Sequence, residues 1–547
     1  MTSLLQPAAP ALLGAPGAAP VRAGRWRSVL LGVGFLAVAA GIALIRLRTS
    51  PLYPTHNDVN SDVFVYQLVG NSWRHSQLPY RDVYDVKGPF LYLLFGLSAR
   101  LRPWSMGPPL VLLTLLAFAS VWLAYAIARL SVRRRWLAAV SAVVSCVLIY
   151  LSVAQVSSSF TREEVAVPGV LLLLWLVSRE LGGRGRVPDG WWLLDGVVVG
   201  ALFWTKYLVL GPWLAMLVAL TAVVVRRQLP ARRLRRVVVL HGVGAIAGTA
   251  VILPFFARVL PEMVGAYFLA KRGTLDLSAE LPKQVAFALT SLTQNSSAAL
   301  LLLGVGAVLL VRVVRRADPE RLALAVVFGL TVWASAALVR HPNNLFVPLT
   351  FCAVALPALL AAAESRGRRL AGIAVGTAVL AAAACLAPLT QAVTSYGLLR
   401  PPRPLTCYDL TTGTRSTPHT GVSTAFAGAA GNAPILSLGT LFAARTSYIS
   451  QRPLSRPFEF VDGSWAGTVG ADRVQTGYLR DRTFDYVWIH VPGLDPLGDV
   501  AAQIGAAART GGRTQREQMA ALAVSDRPVL ACNHEILLRG RTTPAGG

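Results

Sequence analysis

Long apolar stretches separated by short polar segments dominate this chain. The first stretch runs from Val29 to Ile45. Ten more follow, each about as long as a helix must be to cross a hydrocarbon core: 106–130, 136–156, 164–181, 191–208, 210–226, 237–257, 296–314, 320–339, 343–363 and 369–391. This pattern predicts an all-α polytopic membrane protein with about eleven transmembrane helices.

One apolar segment, 88–101, is shorter than the others and ends in arginines. If it crossed the membrane, every later arginine cluster would change sides. We therefore predict that it lies flat at the membrane surface as an interfacial helix. It then belongs to a first outer loop that covers 49–105.

The composition excludes a soluble multidomain protein. Of the 547 residues, 54% are hydrophobic and 14% are charged, whereas soluble domains carry about 25% charged residues. The net charge is +26, but the arginines cluster between apolar stretches, as in cytoplasmic loops: 133–135, 226–236, 312–316 and 366–369. We predict a protein of the bacterial cytoplasmic membrane with its N-terminus inside, and no nucleic-acid partner.

The first two regions of the chain differ in composition. Residues 1–24 are rich in Ala, Pro and Gly, which predicts a disordered cytoplasmic tail. Residues 25–394 predict the transmembrane domain. We interpret its first span as a retained signal anchor, with a cleaved signal peptide as the alternative. Arg46 and Arg48 on the far side of that span oppose the usual charge pattern.

The third region, 395–547, mixes polar residues, Gly and Pro with short β-like runs. It predicts a small α/β domain outside the membrane. Two of the five cysteines, Cys407 and Cys532, lie in this region, which makes them candidates for a disulfide bond in an oxidising compartment.

Reactive side chains gather in residues 53–89, beside the membrane. This segment carries four aspartates and one lysine: Asp58, Asp62, Asp82, Asp85 and Lys87. Taken singly, each aspartate fits a helix cap or a solvated loop position. Together, and interleaved with aromatic residues and prolines, they indicate a functional site.

This loop contains Asp62-x-x-x-Tyr66, and 78–89 reads Leu-Pro-Tyr-Arg-Asp-Val-Tyr-Asp-Val-Lys-Gly-Pro. Both strings, with the apolar segment that follows, resemble the first outer loop of membrane glycosyltransferases with the GT-C fold. The resemblance is to the branch of protein O-mannosyltransferases and aminoarabinose transferases. Lys206 and the tripeptide Arg340-His341-Pro342 also fit the pattern of that superfamily.

The resemblance implies a conserved helical module, two interfacial helices in the first outer loop, and a polyprenyl-phosphate-linked sugar as donor. It also implies that Asp62 is the catalytic carboxylate of this loop, with Asp58 as the competing candidate. Lys87 falls on the lysine of the family's Asp-x-Lys-x-Pro element. This sequence departs from the commoner Lys-Pro-Pro form, because Gly88 follows the lysine.

Such a transfer needs a base and fixed cations. A sugar hydroxyl is a poor nucleophile at neutral pH, so a carboxylate must take its proton, and we assign this role to Asp62. The departing lipid phosphate gains charge that Lys87 and Arg340 would stabilise, with Lys206 and His341 as second choices. A base and a leaving group on opposite faces of the sugar predict inversion.

Five further residues are expected to support the site: Tyr80, Asp82, Asp85, Arg162 and Glu163. Asp82 and Asp85 would orient Lys87. Arg162 and Glu163, with the adjacent Glu164, fit either an acceptor-side role or a structural ion pair. Each of the five also fits an ordinary structural position.

We expect no required metal or other cofactor, because the sequence has no Cys-x-x-Cys or His-x-x-x-His spacing. The alternative is a Mg²⁺ or Mn²⁺ ion held by two loop aspartates with waters and the donor phosphate. The expected partners are a polyprenyl-phosphate-linked sugar, a cell-envelope acceptor and the lipid bilayer. Two alternatives to a glycosyltransferase remain: a polyprenyl-linked sugar flippase or transporter, and a membrane scaffold whose outer domain binds the cell wall. The spans hold few ionisable residues, with Asp195 and His241 near cytoplasmic ends, which disfavours a proton-coupled carrier.

Overall fold

The computed structural model describes these residues of the chain: 21–48, 62–74, 76–84, 87–102, 105, 107–152, 162–182, 186–226, 228–269, 296–315, 318–337, 342–366, 407–416, 418–427, 435–438, 458–459, 477, 479–481, 485–491, 493–510, 527–532 and 535–540. Helices fill the part before residue 367, and a mixed β-sheet follows. This arrangement confirms the predicted fold class, a helical membrane protein with a small C-terminal α/β domain. The predicted span 369–391 lies outside the described residues.

The helical part consists of α1 (Val21–Arg48), α2 (Asp62–Arg74), α3 (Pro89–Leu101), α4 (Gly107–Ser131), α5 (Arg135–Leu151), α6 (Arg162–Leu181), α7 (Asp189–Lys206), α8 (Gly211–Val225), α9 (Ala231–Ile252), α10 (Leu260–Val264), α11 (Ser296–Arg315), α12 (Pro319–Ala337), α13 (Phe346–Leu349) and α14 (Cys352–Arg366). Short helical turns continue some of them, among them Tyr207–Leu210 after α7 and Pro342–Leu345 before α13. Most of these helices lie within a few residues of the predicted spans.

Five helical segments among the described residues are long and apolar enough to cross a membrane: Ser28–Arg46, Gly107–Ser131, Ala231–Phe268, Ala298–Arg315 and Phe346–Glu364. Three shorter apolar helices accompany them, including α3. The protein is therefore a multi-pass membrane protein, and the count of about eleven spans stays a prediction.

Helices α7 and α9 pack backbone to backbone. Gly196 and Gly200 on α7 face Gly244 and Gly248 on α9, and a methyl group on Gly244 would collide with the carbonyl oxygen of Leu193. Small residues allow this close approach between helices in a membrane. The contact holds α7 along its length, and so determines where its last residues lie.

Charged side chains close one end of the helical bundle. Arg233 on α9 donates to both carboxylate oxygens of Glu180 on α6, at 2.8 and 2.9 Å, and to Asp189 on α7 at 2.7 Å. Glu364 on α14 accepts from the backbone N–H of Arg133 at 3.1 Å. The helix connections here carry the arginine clusters, so we call this the arginine-rich end and the opposite end the site end.

The C-terminal domain is built on a six-stranded sheet of order β3-β2-β7-β8-β6-β4. Its strands are β2 (Cys407–Asp409), β3 (Thr414–Ser416), β4 (Ile435–Ser437), β6 (Tyr486–His490), β7 (Arg527–Cys532) and β8 (Glu535–Arg539), with helices α15 (Pro418–Ala425) and α16 (Val500–Thr510). β4 and β6 are parallel, and the other neighbours are antiparallel. A disulfide bond joins Cys407 to Cys532, which are directly paired on β2 and β7.

A second, two-stranded sheet connects this domain to the first outer loop. Its strands are β1 (Val83–Tyr84) and β5 (Phe458–Glu459), which pair in parallel. The C-terminal domain therefore touches the site end of the bundle.

We expect Gly244→Ala to lower the midpoint of thermal unfolding, because the new methyl group would force α7 and α9 apart. Overpacking of this kind costs about 1–3 kcal/mol. Gly242→Ala on the same helix is the matched control, since nothing lies within 4 Å of its added methyl group. Thermal unfolding of the detergent-purified protein measures both variants. A Gly244→Ala protein as stable as the control would contradict the close packing.

Candidate functional site

The first outer loop folds into two packed helices, α2 and α3. The ring of Tyr66 on α2 lies 6.3 Å from that of Tyr92 and 5.2 Å from that of Phe95, between ring centroids, and all three residues are buried. Gly70 on α2 sits against the backbone of Phe95, where a side chain would not fit. Two helices are thus present in this segment, as the resemblance implied, and their interfacial position on the outer side stays a prediction.

A tight turn connects α2 to Lys87. Tyr80 in this turn has a positive φ of 70°, an uncommon conformation for a residue with a side chain, and it is buried. Its hydroxyl donates to the carbonyl oxygen of Lys87 at 2.7 Å. Asp82 accepts from the backbone N–H of Leu78 at 2.8 Å. Both residues therefore shape the backbone that leads to Lys87.

The ammonium of Lys87 lies against α2. Its Nζ is 5.4 Å from the centroid of the Tyr66 ring, within the range of a cation–π contact. Asp62 is the first residue of α2, and Tyr66 follows it by about one helical turn. The backbone of Asp62 and the ammonium of Lys87 therefore both lie near Tyr66.

Gly88 brings this loop to the end of α7. A methyl group at Gly88 would collide with the carbonyl oxygens of Trp204 and Thr205. Proline, which the commoner form of the motif has at this position, would add atoms to a space that backbone oxygens already occupy. The glycine therefore allows the turn that carries Lys87, which we call the Lys87 loop (78–88), to contact the end of α7, where Lys206 lies.

Lys206 forms a buried ion pair at the site end. Its ammonium donates to Glu163 at the start of α6 and, at 3.0 Å, to the side-chain oxygen of Asn344. Lys206, Glu163 and Asn344 are 7%, 2% and 5% exposed. The pair joins α6, α7 and the turn Pro342–Leu345.

A second buried ion pair lies beside the first. Arg46 near the end of α1 donates to Glu164 at 2.6 Å, and its guanidinium lies 5.4 Å from the centroid of the Phe346 ring. Glu164 is fully buried. Glu164 therefore places a buried negative charge directly against the guanidinium of Arg46.

Comparison with solved structures gives the fold. ArnT, the aminoarabinose transferase of Cupriavidus metallidurans, superposes in its complex with undecaprenyl phosphate with a TM-score of 0.61 at 15% identity, covering 94% of this chain and 99% of ArnT. Apo ArnT gives a TM-score of 0.58 at 14% identity, with 94% and 98% coverage. The chain has the GT-C fold.

A second protein with this fold is archaeal. The oligosaccharyltransferase AglB from Archaeoglobus fulgidus, in complex with an inhibitory peptide and a dolichol-phosphate, gives a TM-score of 0.51 at 11% identity over 93% of this chain and 75% of AglB. No family model and no curated protein matches the sequence. The likeness thus covers both the helical part and the C-terminal domain.

On this GT-C fold, the structure brings several of the expected site residues to the site end: Tyr80, Asp82, Lys87, Lys206 and Glu163. Asp62 and Arg162 begin α2 and α6, and their side chains are not described. Asp58, Asp85, Arg340 and His341 lie outside the described residues.

Two residues of the cluster were not expected from the sequence: Arg46 and Asn344. The available signal for Arg46 was one of charge. Arg46 follows the apolar stretch 29–45 and Glu164 begins the stretch 164–181, so the predicted topology puts these opposite charges on one side of the membrane, where an unpaired charge would be costly. Asn344 carried no such signal, because a neutral amide in a turn is common.

A separate polar cluster lies inside the bundle, toward the arginine-rich end. Asp195 on α7 is fully buried and accepts from the indole N–H of Trp213 on α8 at 3.0 Å. The same oxygen lies 2.7 Å from Nε2 of His241 on α9. Asp195 and His241 lie in different predicted spans, and the fold brings them together. They bind three helices together away from the candidate site.

Metal ligands do not group in the described part of the chain, where no three His, Cys, Asp or Glu side chains come together as a metal ion requires. Two loop aspartates, Asp58 and Asp85, lie outside that part. Independence from metals stays a prediction.

We expect Glu164→Gln to destabilise the protein by about 3–5 kcal/mol, because it removes the charge that balances buried Arg46. Replacing both partners by methionine should recover much of the loss. Arg236→Gln is the control: Arg236 is exposed and pairs with Asp189, and exposed pairs contribute little. Thermal unfolding in detergent compares all three. Equal stability of Glu164→Gln and the wild type would contradict a structural role for this pair.

Proposed function

We propose that this protein is a glycosyltransferase that moves a sugar from a polyprenyl-phosphate donor to an extracytoplasmic acceptor, with inversion at the anomeric carbon. The acceptor would be a cell-wall glycan, a glycolipid or a protein. The observation that carries the proposal is the meeting of the Lys87 loop with the Lys206–Glu163 pair at one end of a GT-C bundle. ArnT and AglB, which share this fold, were solved with undecaprenyl phosphate and dolichol-phosphate.

The distribution of arginines supports an orientation for this site. Lys and Arg resist translocation, so the arginine-rich end would face the cytoplasm of a bacterial cell. The site end and the C-terminal domain would then face outward, with the N-terminus inside. The disulfide between Cys407 and Cys532 fits an oxidising compartment outside the cytoplasm.

The donor phosphate would bind beside Lys87. Its ammonium is held near α2 by Tyr66, and the backbone of Lys87 is held by the Tyr80 hydroxyl. Arg340, a few residues before Asn344 in the sequence, is the second phosphate-binding candidate, with His341 beside it. Lys206 is already balanced by Glu163, so we assign it chiefly to anchoring the turn that carries Asn344.

We place the polyprenyl chain along an apolar groove on the membrane helices. This open groove, of about 400 Å³, lies between the second half of α7 and the facing turns of α9. Phe203 and Leu210, which line it, lie on either side of Lys206 in the sequence. The chain is already in the hydrocarbon core, so van der Waals packing would stabilise it in the groove.

The chemistry would be a single displacement. Asp62, or Asp58 one turn before it, takes the proton of the acceptor hydroxyl while that oxygen bonds to C1 of the sugar. The bond between C1 and the phosphate oxygen breaks at the same time, and the lipid phosphate leaves with its extra charge. The position of Asp62 at the start of α2 favours the ionised carboxylate, since helix N-termini stabilise negative charge.

We expect Asp62→Asn to reduce release of lipid phosphate from polyprenyl-phosphate sugars by about 10²–10⁴-fold, the usual value of a general base. Asp82→Asn is the matched control in the same loop. Its side-chain oxygen can still accept from the N–H of Leu78, so activity should remain within about threefold of wild type. Product formation by purified protein with a panel of donor lipids measures both.

An inactive wild-type protein with every donor would contradict the enzyme and favour a flippase or a scaffold. Equal losses in Asp62→Asn and Asp82→Asn would contradict the assignment of the base.

The two lysines should behave differently. Lys87→Met should weaken binding of polyprenyl phosphate by roughly 10–100-fold, since a charge-assisted hydrogen bond contributes about 1.5–3 kcal/mol. It should lower the unfolding midpoint less than Lys206→Met does, because Lys87 is less buried than Lys206. Lys206→Met should instead lower the midpoint, because Glu163 loses its buried partner charge. Titration with polyprenyl phosphate and thermal unfolding separate the two effects. If Lys206→Met weakened binding and Lys87→Met lowered the midpoint, Lys206 would bind the phosphate and Lys87 would have the structural role.

A further inference from the structure

The C-terminal domain contributes a strand to the first outer loop. Val83 pairs with Phe458, and Tyr84 pairs with Glu459, in a parallel arrangement. Parallel pairs are slightly weaker than antiparallel ones, and an isolated pair of strands is marginal in water. So short a pairing persists only if other contacts hold both strands in place.

On the side of the first outer loop, the turn before β1 supplies such contacts. The backbone N–H of Tyr80 donates to the carbonyl oxygen of Val83 at 2.7 Å, and Val83 is buried. The same Tyr80 holds the carbonyl oxygen of Lys87 through its hydroxyl. If β1 moved, Tyr80 would move with it, and the backbone of Lys87 would therefore be displaced as well.

On the side of the C-terminal domain, β5 packs beside β4, the edge strand of the six-stranded sheet. It also lies within the part of the chain that the Cys407–Cys532 disulfide closes, across a separation of 125 residues. The contact with β4 thus holds β5 against the edge of the sheet, and the disulfide stabilises that sheet at its other side. Because β1 pairs with β5, the position of β5 determines where β1 lies.

We propose that β5 is a positioning element of the donor phosphate site. By pairing with β1, Phe458 and Glu459 hold the turn that places Lys87, so the C-terminal domain takes part in donor binding through its backbone. This inference rests on the proposed function. Neither residue of β5 has to touch the donor.

The first test removes the backbone donors of β5. In the double variant Phe458→Pro with Glu459→Pro, neither residue has an N–H group, while the chain stays extended. We expect KM for the donor to rise about tenfold, because Lys87 is misplaced, and kcat to change less than about threefold, because the base is untouched. A merely structural role would lower the active fraction, and thus kcat, at unchanged KM.

The matched control keeps the backbone and changes the side chains. Phe458→Val with Glu459→Thr retains both N–H groups and uses residues that favour strands. Its donor KM should stay within about twofold of wild type. If the proline variant has the KM of wild type, or if the control shows the same rise, the proposal is wrong.

The second test does not require the proline variant to fold. Paired strands lie about 4.7–4.9 Å apart, within reach of a disulfide bond. Val83→Cys with Phe458→Cys should therefore cross-link, whereas Val83→Cys with Glu459→Cys should not, because successive side chains point to opposite faces. The cross-linked protein should keep donor KM and kcat within about twofold of wild type, because the paired arrangement is the working one.

Two results of the cross-linking experiment would overturn the proposal. One is failure of the matched pair to cross-link. The other is a cross-linked protein that becomes active only on reduction, which would make β5 a gate that must open. Failure of the proposed function is distinguishable: a wild-type protein that is inactive with every donor would still show the cross-link if the strands pair.

Discussion

Two adjacent glutamates at the start of α6 hold the site end of the molecule together. Glu163 binds the ammonium of Lys206 at the end of α7, and Glu164 binds the guanidinium of Arg46 at the end of α1. Charges removed from water cost several kcal/mol each unless an opposite charge is in place. Removal of one partner from either pair would therefore leave a buried charge uncompensated where the ends of three helices meet. Because Lys206 also binds Asn344, the turn before α13 joins the same arrangement.

The first outer loop depends on that arrangement through a contact between backbones. Gly88 can lie against the carbonyl oxygens of Trp204 and Thr205 only because it lacks a side chain. The end of α7 is itself held by Glu163 and by the glycine contacts with α9. The position of Lys87 thus follows from the membrane helices on one side and from Tyr80 on the other.

Sequence reasoning predicted what depends on local pattern. Apolar length predicted the helices, and the strings around Asp62 and Lys87 predicted the fold and a candidate site. Among the contacts that depend on topology, it predicted the Cys407–Cys532 disulfide as a candidate, because these are the two cysteines of the C-terminal region, but it did not predict the ion pairs. Arg46 and Glu164 are 118 residues apart, and their meeting requires knowledge of which helices are neighbours. The pairing of β1 with β5 could not be predicted either, because strands of two residues are too short to show an alternation of polar and apolar positions.

The ion pairs have a consequence for the proposed donor site. Glu163 lies against the ammonium of Lys206, and Glu164 lies against the guanidinium of Arg46, so both buried cations take part in holding helices together. Under the proposed function, the donor phosphate would bind where Lys87 lies against Tyr66. Fixed charges stabilise a transition state best when they need no rearrangement as charge develops. The ion pairs, together with the packing of Gly88 against the end of α7, would supply that rigidity.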